Sequence, residues 1–263
     1  MIPASMLFGF WIAEWGVIVP DSGRSVALNP GMSFLLNEIN PKKKELDCIV
    51  HKPLIYFYGE LPDSLTLHLG LSEIGIAYPP PQDSAEGFTW RIRKPYSDTL
   101  PEYESLLRVL FGNIGSQSLL VGDSVISFIY YDAPLVFRDS VEVKVKKQEV
   151  RVRNRHSFMI YNIYYCIDTQ RIFYLDSLPP GERASLVWGS PPELNRIMRG
   201  LGFSFLSSNQ FAQCWDREIC KPGTLFYRLP QEKTDALIPI TVSPEPERTL
   251  RAMWVLIRKG AGS

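Results

Sequence analysis

Residues 141–181, VEVKVKKQEVRVRNRHSFMIYNIYYCIDTQRIFYLDSLPPG, decide the fold class, because much of the stretch alternates apolar and polar side chains with the period of a strand. Successive strand residues point to opposite faces, so Val141, Val143 and Val145 are directed to a core and Glu142, Lys144 and Lys146 to water. The core-facing residues are odd-numbered through Val145 and even-numbered at Val150 and Val152. A continuous strand cannot exchange its faces without an extra residue, so a β-bulge or a turn is predicted within 146–149. After a turn at 154–157, Met159, Tyr161, Ile163, Tyr165 and Ile167 form a second apolar face, and the alternate positions are mixed. The chain turns again at 168–171. These antiparallel strands and the Leu-Pro-Pro-Gly corner predict part of a fibronectin- or immunoglobulin-like sandwich. Such folds take about 100 residues, so 139–189 needs further strands, expected after Gly223 to pair with or pack against this run.

Working outward, Ser190-Pro191-Pro192-Glu193 fits an S-x-x-E capping box, and Leu194, Ile197, Met198 and Leu201 share one helical face before Gly202. Ser208 is the expected cap of a second helix in which Phe211, Trp215 and Ile219 recur every four residues. Residues 224–229 and 249–258 read as strands joined through the extended segment LIPITVSPEPER. Towards the N-terminus, 14–19 and 25–28 flank a turn and predict a hairpin. Residues 48–58 predict an edge or interrupted strand, because Pro53 cannot donate to a ladder. Leu65, Leu67 and Leu69 alternate with polar residues, which puts His68 on the outer face of a strand. FTWRIR at 88–93 and much of 125–137 are strand-like, with Pro134 kinking or ending the latter, and 102–111 has helical spacing.

The whole predicts a mainly β chain with a minor helical part, organised as two antiparallel sandwich-like domains. Residues 1–138 form a β-rich domain with one helix near 102–111, and 139–263 form the second sandwich with a helical insertion at 190–222. At 263 residues and 45% hydrophobic, the chain is long enough for two such cores. Its 28 basic and 28 acidic residues balance, and no basic run exceeds Lys42-Lys43-Lys44, which argues against binding to nucleic acid. The apolar run at 6–19 is interrupted by Glu14, falls short of the ~20 residues that span a bilayer, and lacks the basic start of a signal peptide. A buried N-terminal strand is expected there, with no integral membrane segment.

Motifs of known chemistry are absent: no G-x-G-x-x-G, P-loop, H-E-x-x-H, G-x-S-x-G or EF-hand loop occurs. No cofactor is expected. Cys48 and His51 have a C-x-x-H spacing but lack a second cysteine nearby, so no metal site is expected either. Cys214 and Cys220 are too far apart along a helix to bridge without fraying it, and free buried thiols are expected, with a loop-closing disulfide as the alternative. The basic outer face of Lys144, Lys146, Arg151 and Arg153 reads as solvated surface. Trp215, Asp216, Arg217 and Glu218 are the densest local group of functional side chains. They are the candidate binding surface, since Trp and Arg dominate interface hot spots.

Four segments, EWGVI (14–18), PLIYFYGE (53–60), CWDREICKPGTLFYRLP (214–230) and ALIPITVSPEPERTLRAMWVLI (236–257), resemble an uncharacterised family of prokaryotic, mostly β proteins. The resemblance spans most of the chain and is densest at the C-terminal end. It implies an extracytoplasmic location and transfers no catalytic residue; where that pattern has an arginine after Gly-Thr, this chain has Leu225. The expected function is therefore non-catalytic binding of another macromolecule, a protein or a glycan, through sheet edges and aromatic-rich strands. The rival expectation is a hydrolase with a site between the domains, drawing its acid and base from Glu14, Glu60 or Asp216.

Overall fold

In a computed structural model, residues 9–20, 48–95, 115–146 and 149–258 are described. The hairpin partner at 25–28 and the helix expected at 102–111 lie outside them. The deciding stretch forms β9 (Val141–Lys146), β10 (Glu149–Asn154), β11 (Ile160–Asp168) and β12 (Arg171–Leu178). β9 and β10 pair antiparallel, with Lys146 opposite Glu149 and Val145 opposite Val150. The change of parity is therefore a reversal of the chain: the valines of both strands keep to one face.

Before them come β1 (Phe10–Pro20), β2 (Cys48–Gly59), β3 (Ser64–Leu69), β4 (Ile76–Tyr78), β5 (Phe88–Arg93), β6 (Leu119–Val121), β7 (Ser124–Ile126) and β8 (Ile129–Leu135). After them come β13 (Arg183–Trp188), α1 (Leu194–Leu201), α2 (Phe205–Ile219), β14 (Thr224–Arg228), α3 (Gln231–Leu237), β15 (Ile240–Ser243) and β16 (Arg248–Arg258). The mainly β expectation with a minor helical part holds. An eleven-stranded sheet runs β4-β8-β2-β1-β16-β14-β11-β12-β13-β10-β9, and a five-stranded sheet runs β15-β3-β5-β6-β7. As expected, strands after Gly223 pair with the deciding stretch: β14 lies between β11 and β16. Segments on both sides of residue 138 share the large sheet, joined at its centre by the parallel pair β1 and β16.

Alternation along these central strands divides the core in two. Ile12, Ile55, Met253 and Val255 face the small sheet and meet Leu67, Trp90 and Ile92 there. Ala13, Trp15, Tyr56, Phe226 and Trp254 face the helical pair and meet Met198, Phe211 and Trp215. Phe211 sits edge-on to Trp15 at 5.3 Å between ring centres, and Trp254 stacks on Phe226 at 4.8 Å. A sheet covered on both sides needs apolar residues at nearly every position, and β1 and β16 supply them.

Four local expectations are corrected. Of the two readings of residues 48–58, the interrupted strand holds and the edge strand does not: β2 is flanked by β1 and β8, and both of its ladders shift register around Pro53 and so ask no donor of it. Opposite it, Gly16 admits the close approach: a Cβ there would lie 3.1 Å from the Pro53 Cα. The capping box at Ser190 does not form, since α1 begins after an extended Glu193 that makes no side-chain cap. α2 begins four residues earlier than expected, capped by Ser204, whose hydroxyl accepts from the Ser207 N–H. Residues 231–237, between the strands expected at 224–229 and 249–258, are helical, and the following β15 crosses to pair with β3.

Candidate functional site

The outer face of β9, β10 and β13 gathers charge. Pairing places Glu142, Arg153 and Arg183 in one row across the three strands, and Lys144, Arg151 and Ser185 in the next. Together with Lys146 and Glu149 these side chains line an open trough of about 420 Å³. Five cations face two carboxylates there, in a chain whose overall charge is zero. Both carboxylates are engaged: Glu142 with Arg155 at 2.6 Å, and Glu149 with Arg151 at 2.8 Å and the Ser185 hydroxyl at 2.9 Å. These partners hold the Glu142 and Glu149 carboxyls below the usual range, with Lys144, Lys146 and Arg153 adding to the positive field. Lys144, Lys146, Arg153 and Arg183 have no ion pair within 4 Å among the described residues. Lys144 stands opposite Arg151 and Arg153 opposite Arg183, and like charges opposed across strands repel. An anion laid along the trough would relieve that repulsion.

The expected binding surface on α2 is arranged differently. Trp215 is wholly buried under the large sheet, so it contributes to the core and presents no surface to a partner. Asp216 and Arg217 are exposed, and the protein around Asp216 together with the charge of Glu193 holds its carboxyl above the usual range. Glu218 is bound inward, 2.5 Å from Arg258 and 2.7 Å from Lys221. The four residues share one turn of helix and do not form one surface.

The hydrolase candidates are also dispersed. Glu14 is buried on the face of β1 towards the small sheet, whereas Asp216 belongs to the helical layer on the opposite face. Glu14 lies opposite Ile55, and Glu60 follows the end of β2, roughly 17 Å further on at ~3.3 Å per strand residue. Paired glycosidase carboxyls lie about 5 to 9.5 Å apart. Glu14 is moreover fully engaged, accepting from the Tyr131 hydroxyl and from Arg251 Nε at 2.5 Å. Arg251, its neighbour across the parallel pair, also donates to Asp235 at 2.8 Å and to the Ile238 carbonyl at 2.7 Å. This buried group fastens β1, β8, β16 and the end of α3 together.

The histidines and cysteines are likewise structural where described. His68 lies on the outer side of β3 as expected and meets the Thr89 hydroxyl at 3.0 Å. His156 is buried at 3.1 Å from the Tyr227 hydroxyl, which donates to Asp139 at 2.8 Å. Cys166, Cys214 and Cys220 are free thiols, the first buried and the others half-buried. Burial pushes the Cys166 thiol up to about 11. The side chains of Cys48 and His51 lie outside the described residues. Among those described, no three His, Cys, Asp or Glu side chains gather as a metal site. A second hollow, of about 650 Å³, lies over β3 and β5 and carries two cations, Arg91 and Arg93.

No family model and no curated protein matches the chain. Among solved structures, it is similar to the yeast delta-COP-I mu-homology domain complexed with a Dsl1 WxWxV peptide, at 9% identity and a TM-score of 0.35, covering 95% of this chain and 96% of that one. A second structure, of the yeast delta-COP-I mu-homology domain, gives 8% identity and a TM-score of 0.27, with 95% of each chain covered. Likenesses this distant carry no inference about function. No helix among the described residues is long and apolar enough to cross a membrane.

Proposed function

We propose that this chain is a non-catalytic binding protein whose partner is another protein, held by an acidic segment in the trough of β9, β10 and β13. The observation that carries this reading is the two pairs of opposed cations, Lys144 with Arg151 and Arg153 with Arg183, in a concave and open place. Each such pair weakens the isolated sheet and is stabilised by a shared anion. The carboxylates proposed for hydrolysis are dispersed or internally bonded, whereas the trough's cations exceed the acids available to them.

Affinity of this kind depends on ionic strength, because exposed charges are screened over about 8 Å at physiological salt. The test is a titration of the full chain with a short polyaspartate peptide at low and high salt, repeated with Lys144→Glu and Arg183→Glu. The reading expects binding that weakens with salt and is lost in the two variants. Binding that survives both charge reversals, or none at low salt, contradicts it.

A further inference from the structure

The open edge of β9 shows how such a partner would be held, an inference that rests on the acidic-partner reading above. At the end of the β9 and β10 pair, the Arg155 N–H donates to the Ser140 carbonyl at 2.9 Å. Antiparallel ladders alternate bonded and non-bonded pairs, so the bonded pairs that follow are Glu142 with Arg153, Lys144 with Arg151 and Lys146 with Glu149. The N–H and C=O groups of Val143 and Val145 consequently point away from β10. On that side no strand lies among the described residues, since β9 ends the large sheet.

The two faces of this edge differ in chemistry. Val145 is 43% exposed and Val143 is half-buried on the inner face, whereas Lys144 and Lys146 stand on the outer one. We propose that β9 accepts an extended segment of a partner protein as a further strand, with acidic residues at alternate positions and apolar residues between them. The apolar side chains would cover Val143 and Val145, and the carboxylates would lie beside Lys144, Lys146 and the trough behind them. Lysines on an edge strand deter indiscriminate pairing. Here they also select, because a basic or neutral strand gains nothing from the trough and an acidic one does. A second copy of the chain paired at β9 would bring two troughs of the same sign together. A flat anionic membrane would meet the lysines but leave the edge N–H and C=O groups without partners.

The test titrates the full chain with a blocked peptide of about eight residues alternating aspartate and valine. Its comparators are a scrambled isomer of the same composition, a form N-methylated at the two amides facing β9, and phosphatidylserine vesicles. The alternating peptide is expected to bind most tightly, with a loss of about fivefold for each edge hydrogen bond removed by N-methylation. Val145→Pro, which removes a donor from the open edge and leaves the bonds to β10 in place, is expected to weaken it by a similar factor. Equal binding of all three peptides overturns the added strand while leaving the charge reading intact. Failure of every acidic peptide, with or without binding to vesicles, overturns both. Self-association of the free chain that Val145→Pro abolishes would assign the edge to a second copy and overturn the proposal.

Discussion

Among individual residues, Glu14 and Arg251 are the most consequential internal pair. Both are almost fully buried; removing Arg251 leaves Glu14 an uncompensated charge, and removing Glu14 leaves Arg251 only the half-exposed Asp235 as counter-charge, losses of about 3–5 kcal/mol in such settings. Glu14→Ala and Arg251→Ala should each lower stability in urea unfolding by that order. The double replacement Glu14→Leu with Arg251→Met should cost less than the two singles combined, a difference that a double-mutant cycle reads directly. Burial holds the hydroxyls of Tyr56, Tyr131 and Tyr227 well above their ordinary pKa. The unfolded chain therefore releases these protons first as pH rises. The stability they contribute is fully present below pH ~10 and falls above it by about 1.4 kcal/mol per pH unit for each group. Unfolding free energies and phenolate absorbance across that range check this, and phenolates appearing in the folded chain at pH ~10 in full number would oppose it. Trp215 was legible as a helical residue of weight but not as a core residue, because a four-residue spacing gives the same pattern whether the apolar face meets a sheet or a partner. Trp215→Ala should destabilise by about 3–5 kcal/mol as a cavity and leave peptide binding per folded molecule unchanged.

Elements were legible where their period was long and clean. β5, β9 and β10 follow the alternation of their residues, and Gly202 ends α1 in the left-handed conformation its glycine allows. Caps were harder to place, because Ser204 and Ser208 both lie ahead of the Phe211, Trp215 and Ile219 repeat and only the folded chain shows which hydroxyl receives an N–H. Ser204→Ala should accordingly cost about 1 kcal/mol, and Ser190→Ala should stay within roughly 0.5 kcal/mol, both read from denaturant midpoints. The seven-residue α3 carries too few turns to show a period, and its role is tertiary. Gln231 clamps the β16 backbone at Thr249 and Arg251, and Asp235 meets the Arg251 guanidinium. Pro53 left an edge strand and an interrupted one both open, because a proline fits either, and the register shift that decides for the interruption depends on β1 and β8.

Over the whole molecule, the sheet order was the least legible feature. The parallel pair of β1 and β16 joins segments more than two hundred residues apart, and no local pattern announces it. Residues 139–263 expressed alone would leave the β16 edge towards β1 open and its face towards the small sheet without β3, β5, β6 and β7. That fragment should aggregate or remain incompletely folded, and should recover when mixed with residues 1–138; circular dichroism and size-exclusion chromatography follow both. The trough was half legible in the same sense. Alternation put Lys144, Lys146, Arg151 and Arg153 on one face, but their opposition across strands, the arrival of Arg183 from β13 and the position of β9 at the end of the sheet arise only from pairing. That position makes the central claim accessible to amide hydrogen exchange on the full chain with and without the alternating aspartate–valine peptide. The account predicts that the Val143 and Val145 amides, fast in the free chain, become protected when the peptide binds, while the Lys144 amide, already bonded to Arg151, changes little. Bound peptide with Val143 and Val145 still exchanging freely, or with protection appearing instead around Asp216 and Arg217 on α2, would contradict it.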